Sequence, residues 1–235
     1  MVMEVPDTEE KPPFHRRVLL EEGPGHVRAE VEDHQHHFVV TVHHDGERVT
    51  EVDGVGVRIP WVTCTDATAL LDELVGAPVG VRATTDRMDQ HCTHQIDLAL
   101  LAVRFAGAGV TRREYRTTVT GYLEPVTTAT LRRDDDGYEL TWVIEDGGLV
   151  TPGDHAGQSL TRGLSAWLGT LAPDEAEAVS VLRRAVWVAP SRLFDLDRFA
   201  TLADVGMPEG VCYAAQPQRI RLLSTRAPQP PRATA

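Results

Sequence analysis

The sequence is poor in the features that mark secreted, membrane-bound and nucleic-acid-binding proteins. Its three cysteines (Cys64, Cys92 and Cys212) are odd in number and widely spaced, which does not fit a disulfide framework. No apolar run approaches the ~18 residues of a transmembrane helix, and the first residues lack the basic and apolar regions of a secretory signal. Basic residues are outnumbered, 23 against 35 acidic ones, and the net charge of −12 repels nucleic acid and anionic lipid. We therefore expect a cytoplasmic protein without nucleic-acid or membrane partners.

What is present is the composition of a globular domain. Hydrophobic residues make up 42% and charged residues 25% of the 235 residues, so the chain can bury a sizeable core. Residues 1–13 and 226–235 are polar and rich in proline, which predicts flexible tails. Since no repeat or low-complexity linker interrupts residues 14–225, we predict a single domain over that range.

Hydrophobic periodicity predicts a β-rich first half and a helical last third. Strands followed by helices, without regular βαβ alternation, indicate an α+β fold in which an antiparallel sheet of about six to eight strands is packed by helices on one side. The predicted strands are 27–33, 36–43, 48–53, 55–59, 112–123, 127–133 and 138–145, with a short strand at 185–189; the predicted helices are 66–75, 86–106, 156–170, 173–184 and 195–205.

A dense polar cluster lies near the start of the predicted helix 86–106. His91, His94 and Asp97 follow one another at spacings of three, which places them on one helix face. Two imidazoles and a carboxylate in such a column could hold a divalent metal ion. The alternative is a solvated helix start whose histidines pair with Asp86 or Asp89. No further cofactor is expected.

Cys92, in the same cluster, has two interpretations. A thiol in the first turn of a helix is favoured as the thiolate and could act as a nucleophile or contact a substrate. If Ile96 and Val103 face the sheet, however, Cys92 begins the same buried stripe, and His94 lies nearly opposite on the helix. We favour His94 as the functional residue and Cys92 as a packing residue.

Two further segments contribute candidate residues. In Asp33-His34-Gln35-His36-His37, strand alternation places His34 and His36 on one face, either towards a cavity or at an exposed strand end. Arg58 and Trp61 join the first group of strands to the first helix. An arginine beside an apolar wall suits a carboxylate or phosphate group, although the pair could simply close the core.

At these residues the sequence resembles a bacterial family known as Domain of Unknown Function 2889. The most distinctive element is Cys-Thr-His-x-x-Asp-Leu at 92–98. The resemblance implies one domain over nearly the whole chain and an actinobacterial-type member, of a kind that tends to occur beside acyl-CoA and aromatic-degradation enzymes, but it implies no reaction. The matching pieces are HRR at 15–17, VRAEVEDHQHHF at 27–38, RIPWVTC at 58–64, HCTHQIDLALLA at 91–102, LRRAVWVA at 182–189, DLDRFA at 195–200 and GVCYAAQP at 210–217.

Together these observations lead to two functional hypotheses. The first is a small catabolic enzyme (a lyase, hydratase or hydrolase) acting on an organic acid or its thioester, in which His94 is the general acid/base. Asp97 would orient His94 or share a metal ion, and His36 or Asp33 would complete the pocket. The second is a non-catalytic protein that binds a small ligand or a partner.

In the enzyme hypothesis, the site lies where the start of the helix predicted at 86–106 meets the sheet. Arg58 would bind the anionic group of a small-molecule substrate, and Trp61 would form the apolar wall. The metal-ligand candidates are His91, His94 and Asp97. The sequence leaves open whether the protein forms a homo-oligomer.

Overall fold

The computed structural model describes residues 11–85 and 87–223. Eight strands form one sheet in the order β4-β3-β2-β1-β5-β6-β7-β8, and the pairs β2–β3, β3–β4, β5–β6, β6–β7 and β7–β8 are antiparallel. The predicted α+β class and antiparallel sheet are confirmed. The strands are β1 (Phe14–Gly23), β2 (His26–Glu32), β3 (His37–His44), β4 (Val49–Arg58), β5 (Arg112–Thr120), β6 (Val126–Arg133), β7 (Glu139–Glu145) and β8 (Gly148–Leu149), and the α-helices are α1 (Thr93–Phe105), α2 (Leu164–Leu168) and α3 (Pro173–Val188).

The chain divides into two compact units. Among the described residues, the first unit comprises Leu19–Arg112 and the chain from Asp195 onwards, and the second comprises residues 11–18 and Arg113–Phe194. The predicted tails, 1–13 and 226–235, lie mostly outside the described residues. Within the second unit, Lys11 forms an ion pair with Glu124. No α-helix in the described part of the chain has the length and apolar character needed to cross a membrane.

The core of the first unit lies between α1 and the inner face of β2, β3 and β4. Alternation places apolar residues of neighbouring strands opposite one another, as in the pairs Val31–Phe38 and Ala29–Val40, all fully buried. Helix α1 packs on this face and buries Ile96 among others. Burying such a side chain contributes roughly 1.5–3 kcal/mol, so this face fixes where α1 begins relative to the strands.

Glycines in β4 let the next element approach closely. A Cβ atom added at Gly54 would lie 2.9 Å from Cγ2 of Thr68, which belongs to the 3-10 helix Val62–Leu74. That helix packs against β4 and buries Leu71 and Leu74. Side-chain-free strand positions allow such close packing. The helix predicted at 66–75 is therefore present but begins earlier and has 3-10 geometry.

The second unit is built on β5, β6 and β7 with α3 packed against β6. Its interior combines large aromatic side chains with a buried ionic network. Tyr115 and Arg113 both contact the carboxylate of Glu177 on α3, and Arg113 also binds Asp135. All of these charges have partners of opposite sign, as buried charges require.

Several predicted boundaries are wrong. The helix predicted at 86–106 starts only at Thr93, and the strand predicted at 185–189 is the last turn of α3, because the helical spacing of buried residues continues to Ala185. The helices predicted at 156–170 and 195–205 reduce to α2 and to the short 3-10 helix Leu196–Arg198. Strands β1 and β8 were not predicted, and the strands predicted at 48–53 and 55–59 form the single strand β4.

Candidate functional site

The turn between β2 and β3, residues 33–36, holds a buried carboxylate. The backbone N–H of Asp33 donates to the carbonyl of His36 at 2.8 Å. Oδ1 of Asp33 accepts from the backbone N–H groups of Gln35 and His36, at 2.9 Å each. The side chain of Asp33 is 0% exposed. Such a side-chain-to-backbone turn is a common role of aspartate, and here it fixes the direction of the carboxylate.

The same carboxylate orients the imidazole of His36. Nδ1 of His36 lies 2.9 Å from Oδ1 and 3.2 Å from Oδ2 of Asp33. An ionised carboxylate only accepts hydrogen bonds, so Nδ1 carries a proton, and in the neutral imidazole the lone pair is on Nε2. The His36 side chain is 8% exposed. Asp33 and His36 therefore form a carboxylate–imidazole dyad whose basic nitrogen is Nε2.

Helix α1 places a second imidazole on this dyad. The ring of His94, the second residue of α1, stacks on the ring of His36 with centroids 3.8 Å apart and planes inclined by 21°. Phe38 lies beside both rings, with its centroid 5.8 Å from that of His94. His94 is half-buried, whereas His36 is buried. The structure thus brings together three predicted site residues: Asp33, His36 and His94.

A metal ion fits these three residues poorly in the present geometry. Their ligand atoms lie within 4.8 Å of one another, which is compatible in distance with a metal site. However, imidazole lone pairs lie in the ring plane, and a metal ligand must point its lone pair at an ion ~2.1 Å away. Two stacked rings inclined by only 21°, with centroids 3.8 Å apart, confine their lone pairs to two separate and nearly parallel planes, which do not meet at one ion. Chelation by both imidazoles would need one of them to rotate.

The metal column predicted from His91, His94 and Asp97 does not lie on one helix, because His91 precedes α1. His91 is 1% exposed, and its Nε2 lies 2.9 Å from Oε1 of Glu73. Its backbone carbonyl accepts from the N–H of Tyr213. Asp97 lies half-buried on α1. The helix begins at Thr93, so the spacing of three residues between His91 and His94 does not place them on one face.

Arg58, the last residue of β4, contacts the dyad. Its guanidinium group is already hydrogen-bonded to other protein groups. Its Nη2 donates to the carbonyl of Asp33 at 2.6 Å and to Oε1 of Glu32 at 3.2 Å. The residue is 4% exposed. Trp61, which immediately precedes the 3-10 helix Val62–Leu74, is also 4% exposed. These contacts favour structural roles for both residues, and their predicted contacts with substrate stay predictions.

Cys92 is the residue that precedes α1, and it is 6% exposed. Burial raises the pKa of its thiol from 9.0 to about 11, although the backbone N–H groups of Gln95 and His94 partly oppose the shift. Burial likewise raises the pKa of Cys64, with further contributions from Cys92 and Cys212. A thiol this rarely ionised is a poor nucleophile at neutral pH. The packing interpretation of Cys92 is favoured.

Sequence reasoning did not identify Phe38 as part of this site. The signal was available, because Phe38 stands two residues after His36 and strand alternation places such residues on the same side. Comparison with protein-family models, with curated proteins and with solved structures gives no match. The resemblance to Domain of Unknown Function 2889 therefore stays a prediction, and the site is interpreted from its geometry.

Proposed function

We propose that the protein is an enzyme of the lyase, hydratase or hydrolase type that uses His36 as a general base. The observation that carries this proposal is the dyad, in which a fully buried carboxylate lies 2.9 Å from Nδ1 of His36. This contact selects the tautomer that has its lone pair on Nε2. An oriented imidazole of this kind contributes about 10²–10⁴-fold to a rate by proton transfer.

In the proposed mechanism, Nε2 of His36 takes a proton from the substrate or from a water molecule. The imidazolium that forms is stabilised by the negative charge of Asp33, which stays ionised. Because the backbone N–H groups of Gln35 and His36 already hold Oδ1 of Asp33, the carboxylate does not have to reorganise during the step.

His94 serves in the proposal as the second proton carrier. Its ring is stacked on His36, and it belongs to a different element of the first unit, helix α1. Two imidazolium ions 3.8 Å apart would repel each other strongly at a buried position. In the proposal, Nε2 of His36 takes up the proton and His94, whose ring lies against that of His36, passes it on.

The charges at this site favour a thioester over a free organic acid as the substrate. Asp33 and Glu32 are negative, and the positive charge of Arg58 is already paired with Glu32 and the carbonyl of Asp33. A free carboxylate would thus meet more negative than positive charge. A thioester presents an uncharged carbonyl group at the reacting position. A small-molecule substrate and a cytoplasmic location complete the proposal.

The proposal is tested with acyl-, enoyl- and aryl-coenzyme A thioesters. Hydrolysis is followed by the release of free thiol, and hydration by the loss of the enoyl absorbance. We expect His36→Gln and His94→Gln each to lower the rate by about 10²-fold or more. His43→Gln is the matched control, since His43 pairs with Asp53 away from the dyad and is more exposed. It should keep the wild-type rate.

Two outcomes would contradict this proposal. Equal rates in the wild type and His36→Gln would remove His36 from the chemistry. No turnover of any thioester by the wild type would favour the alternative of a non-catalytic ligand-binding protein. Elemental analysis of the purified protein should show less than one metal ion per chain. A full equivalent that disappears in both His36→Gln and His94→Gln would show that the rings rotate to chelate it.

A further inference from the structure

The last residues of β4 contain an irregularity that changes the direction of one side chain. Phe38 of β3 pairs with Gly56, whereas the preceding residue, His37, pairs with Arg58, so Val57 is an extra residue in β4. This two-against-one pairing is a β-bulge. Bulges commonly redirect a side chain beside a functional site.

The bulge turns Arg58 from one face of the sheet to the other. In a regular strand, Arg58 would share the inner face with Gly54 and Gly56, under the helices of the first unit. With Val57 inserted, Arg58 stands opposite His37, which pairs in turn with Glu32 on the outer face. The contact between Arg58 and Glu32 follows directly from this shift.

From this position the guanidinium group reaches the turn that carries the dyad. Nη2 of Arg58 lies 2.6 Å from the backbone carbonyl of Asp33, and the residue is 4% exposed. Within the turn, Asp33 is hydrogen-bonded to the backbone of Gln35 and His36. Arg58 therefore ties the turn to a different strand. A charged donor on a buried carbonyl forms a strong hydrogen bond.

We propose that Arg58 is a positioning residue, which acts through the backbone of Asp33 to hold the carboxylate in line with Nδ1 of His36. The bulge at Val57 places Arg58 where its guanidinium group reaches this backbone carbonyl. This inference rests on the dyad of the proposed function, and it gives Arg58 a role that needs no contact with substrate. Without the guanidinium group, the turn loses this hydrogen bond to β4, and the hydrogen bond between Asp33 and His36 opens more often.

The test is proton NMR of the full chain with ¹⁵N-labelled histidine. A hydrogen bond from Nδ1–H to a buried carboxylate gives a slowly exchanging signal well downfield of the amide region, and His36→Gln identifies it by removing it. Arg58→Met should abolish that signal or broaden it beyond detection. Arg28→Met is the matched control, because Arg28 binds Glu30 and Glu21 on the same outer face but does not contact the turn. It should leave the signal unchanged.

Arg58→Lys provides a second reading in case the methionine variant does not fold. Lysine keeps the charge but lacks the planar fork that spans Glu32 and Asp33, so the signal should remain and exchange faster than in the wild type. A wild-type signal that is unchanged in Arg58→Met, or in Arg58→Lys if Arg58→Met is unfolded, would overturn the positioning role and leave the dyad intact. Absence of the signal in the wild type would overturn the dyad and this inference together.

Discussion

Buried histidines pair with carboxylates in both units, and yet the chemistry of His36 and His155 differs. His36 donates from Nδ1 to Asp33, which leaves the lone pair on Nε2. His155, in the second unit, has Nδ1 3.0 Å from Nε1 of Trp142 and Nε2 3.0 Å from Oε1 of Glu175. Indole nitrogen only donates, so Nδ1 of His155 is an acceptor and its Nε2–H donates to Glu175.

The surroundings of the two rings sharpen this difference. The ring of His155 is enclosed by two indoles, with Trp167 at a centroid distance of 5.1 Å and nearly perpendicular. Both of its nitrogens are occupied by protein groups, so it cannot take a proton without losing the contact with Trp142. The ring of His36 has a second imidazole stacked on it. A carboxylate partner alone therefore does not identify a catalytic histidine. The nitrogen with the lone pair must also not be an acceptor for another protein group, as Nδ1 of His155 is for Trp142.

The largest expected effect is the difference in stability between variants that lack Asp33 and variants that lack Glu175. Asp33→Ala removes the acceptor of two backbone N–H groups and of Nδ1 of His36 at a position with no exposure, and should lower the free energy of unfolding by about 3 kcal/mol. Glu175→Ala removes a carboxylate that is 34% exposed. Water can replace it, and the loss should stay below about 1 kcal/mol. Urea denaturation of both variants measures the difference, and equal losses would contradict it.

A second substitution tests whether His155 is held by its indole partner. Trp142→Phe keeps a large aromatic ring in the core but leaves Nδ1 of His155 as a buried acceptor without a donor. We expect a loss of about 2 kcal/mol in the free energy of unfolding. The dyad signal of His36 should be unaffected, since Trp142 lies in the other unit. A variant as stable as the wild type would show that the Trp142–His155 contact contributes little.

The sequence predicts contacts between site residues that are close in the chain better than contacts between residues that are far apart in the chain. Asp33 and His36 are three residues apart, and a turn between two predicted strands brings such residues together without help from the rest of the fold. His94 was selected as the functional residue, with Asp97 of the same helix to orient it and His36 or Asp33 to complete the pocket. The structure places His36 and Phe38 against His94, and these contacts depend on how α1 packs on the strands.

Two physical causes explain the other errors at the site. The first is the start of α1: no Ser, Thr, Asp or Asn side chain caps it, and the residue before it is Cys92, so the usual signal for a helix start is missing. The second is the bulge at Val57, which depends on the pairing of β4 with β3 and leaves no mark in the alternation of residues. The direction of Arg58 could therefore not be read from the sequence.

The smallest expected effect concerns two residues at the start of α1. Cys92 is packed in the interior, and His94 is proposed to act in the reaction. Cys92→Ala truncates a side chain that is 6% exposed and should cost about 1–2 kcal/mol of unfolding free energy. His94→Ala, at a half-buried position, should cost less and act on the reaction instead. Burial raises the pKa of the Cys92 thiol from 9.0 to about 11, so its stabilising contribution is complete below pH 9 and declines as the pH rises towards 11. Denaturation midpoints measured from pH 7 to 11 should therefore fall less steeply for Cys92→Ala than for the wild type. A larger destabilisation in His94→Ala, with identical alkaline slopes for Cys92→Ala and the wild type, would show that the two roles are reversed.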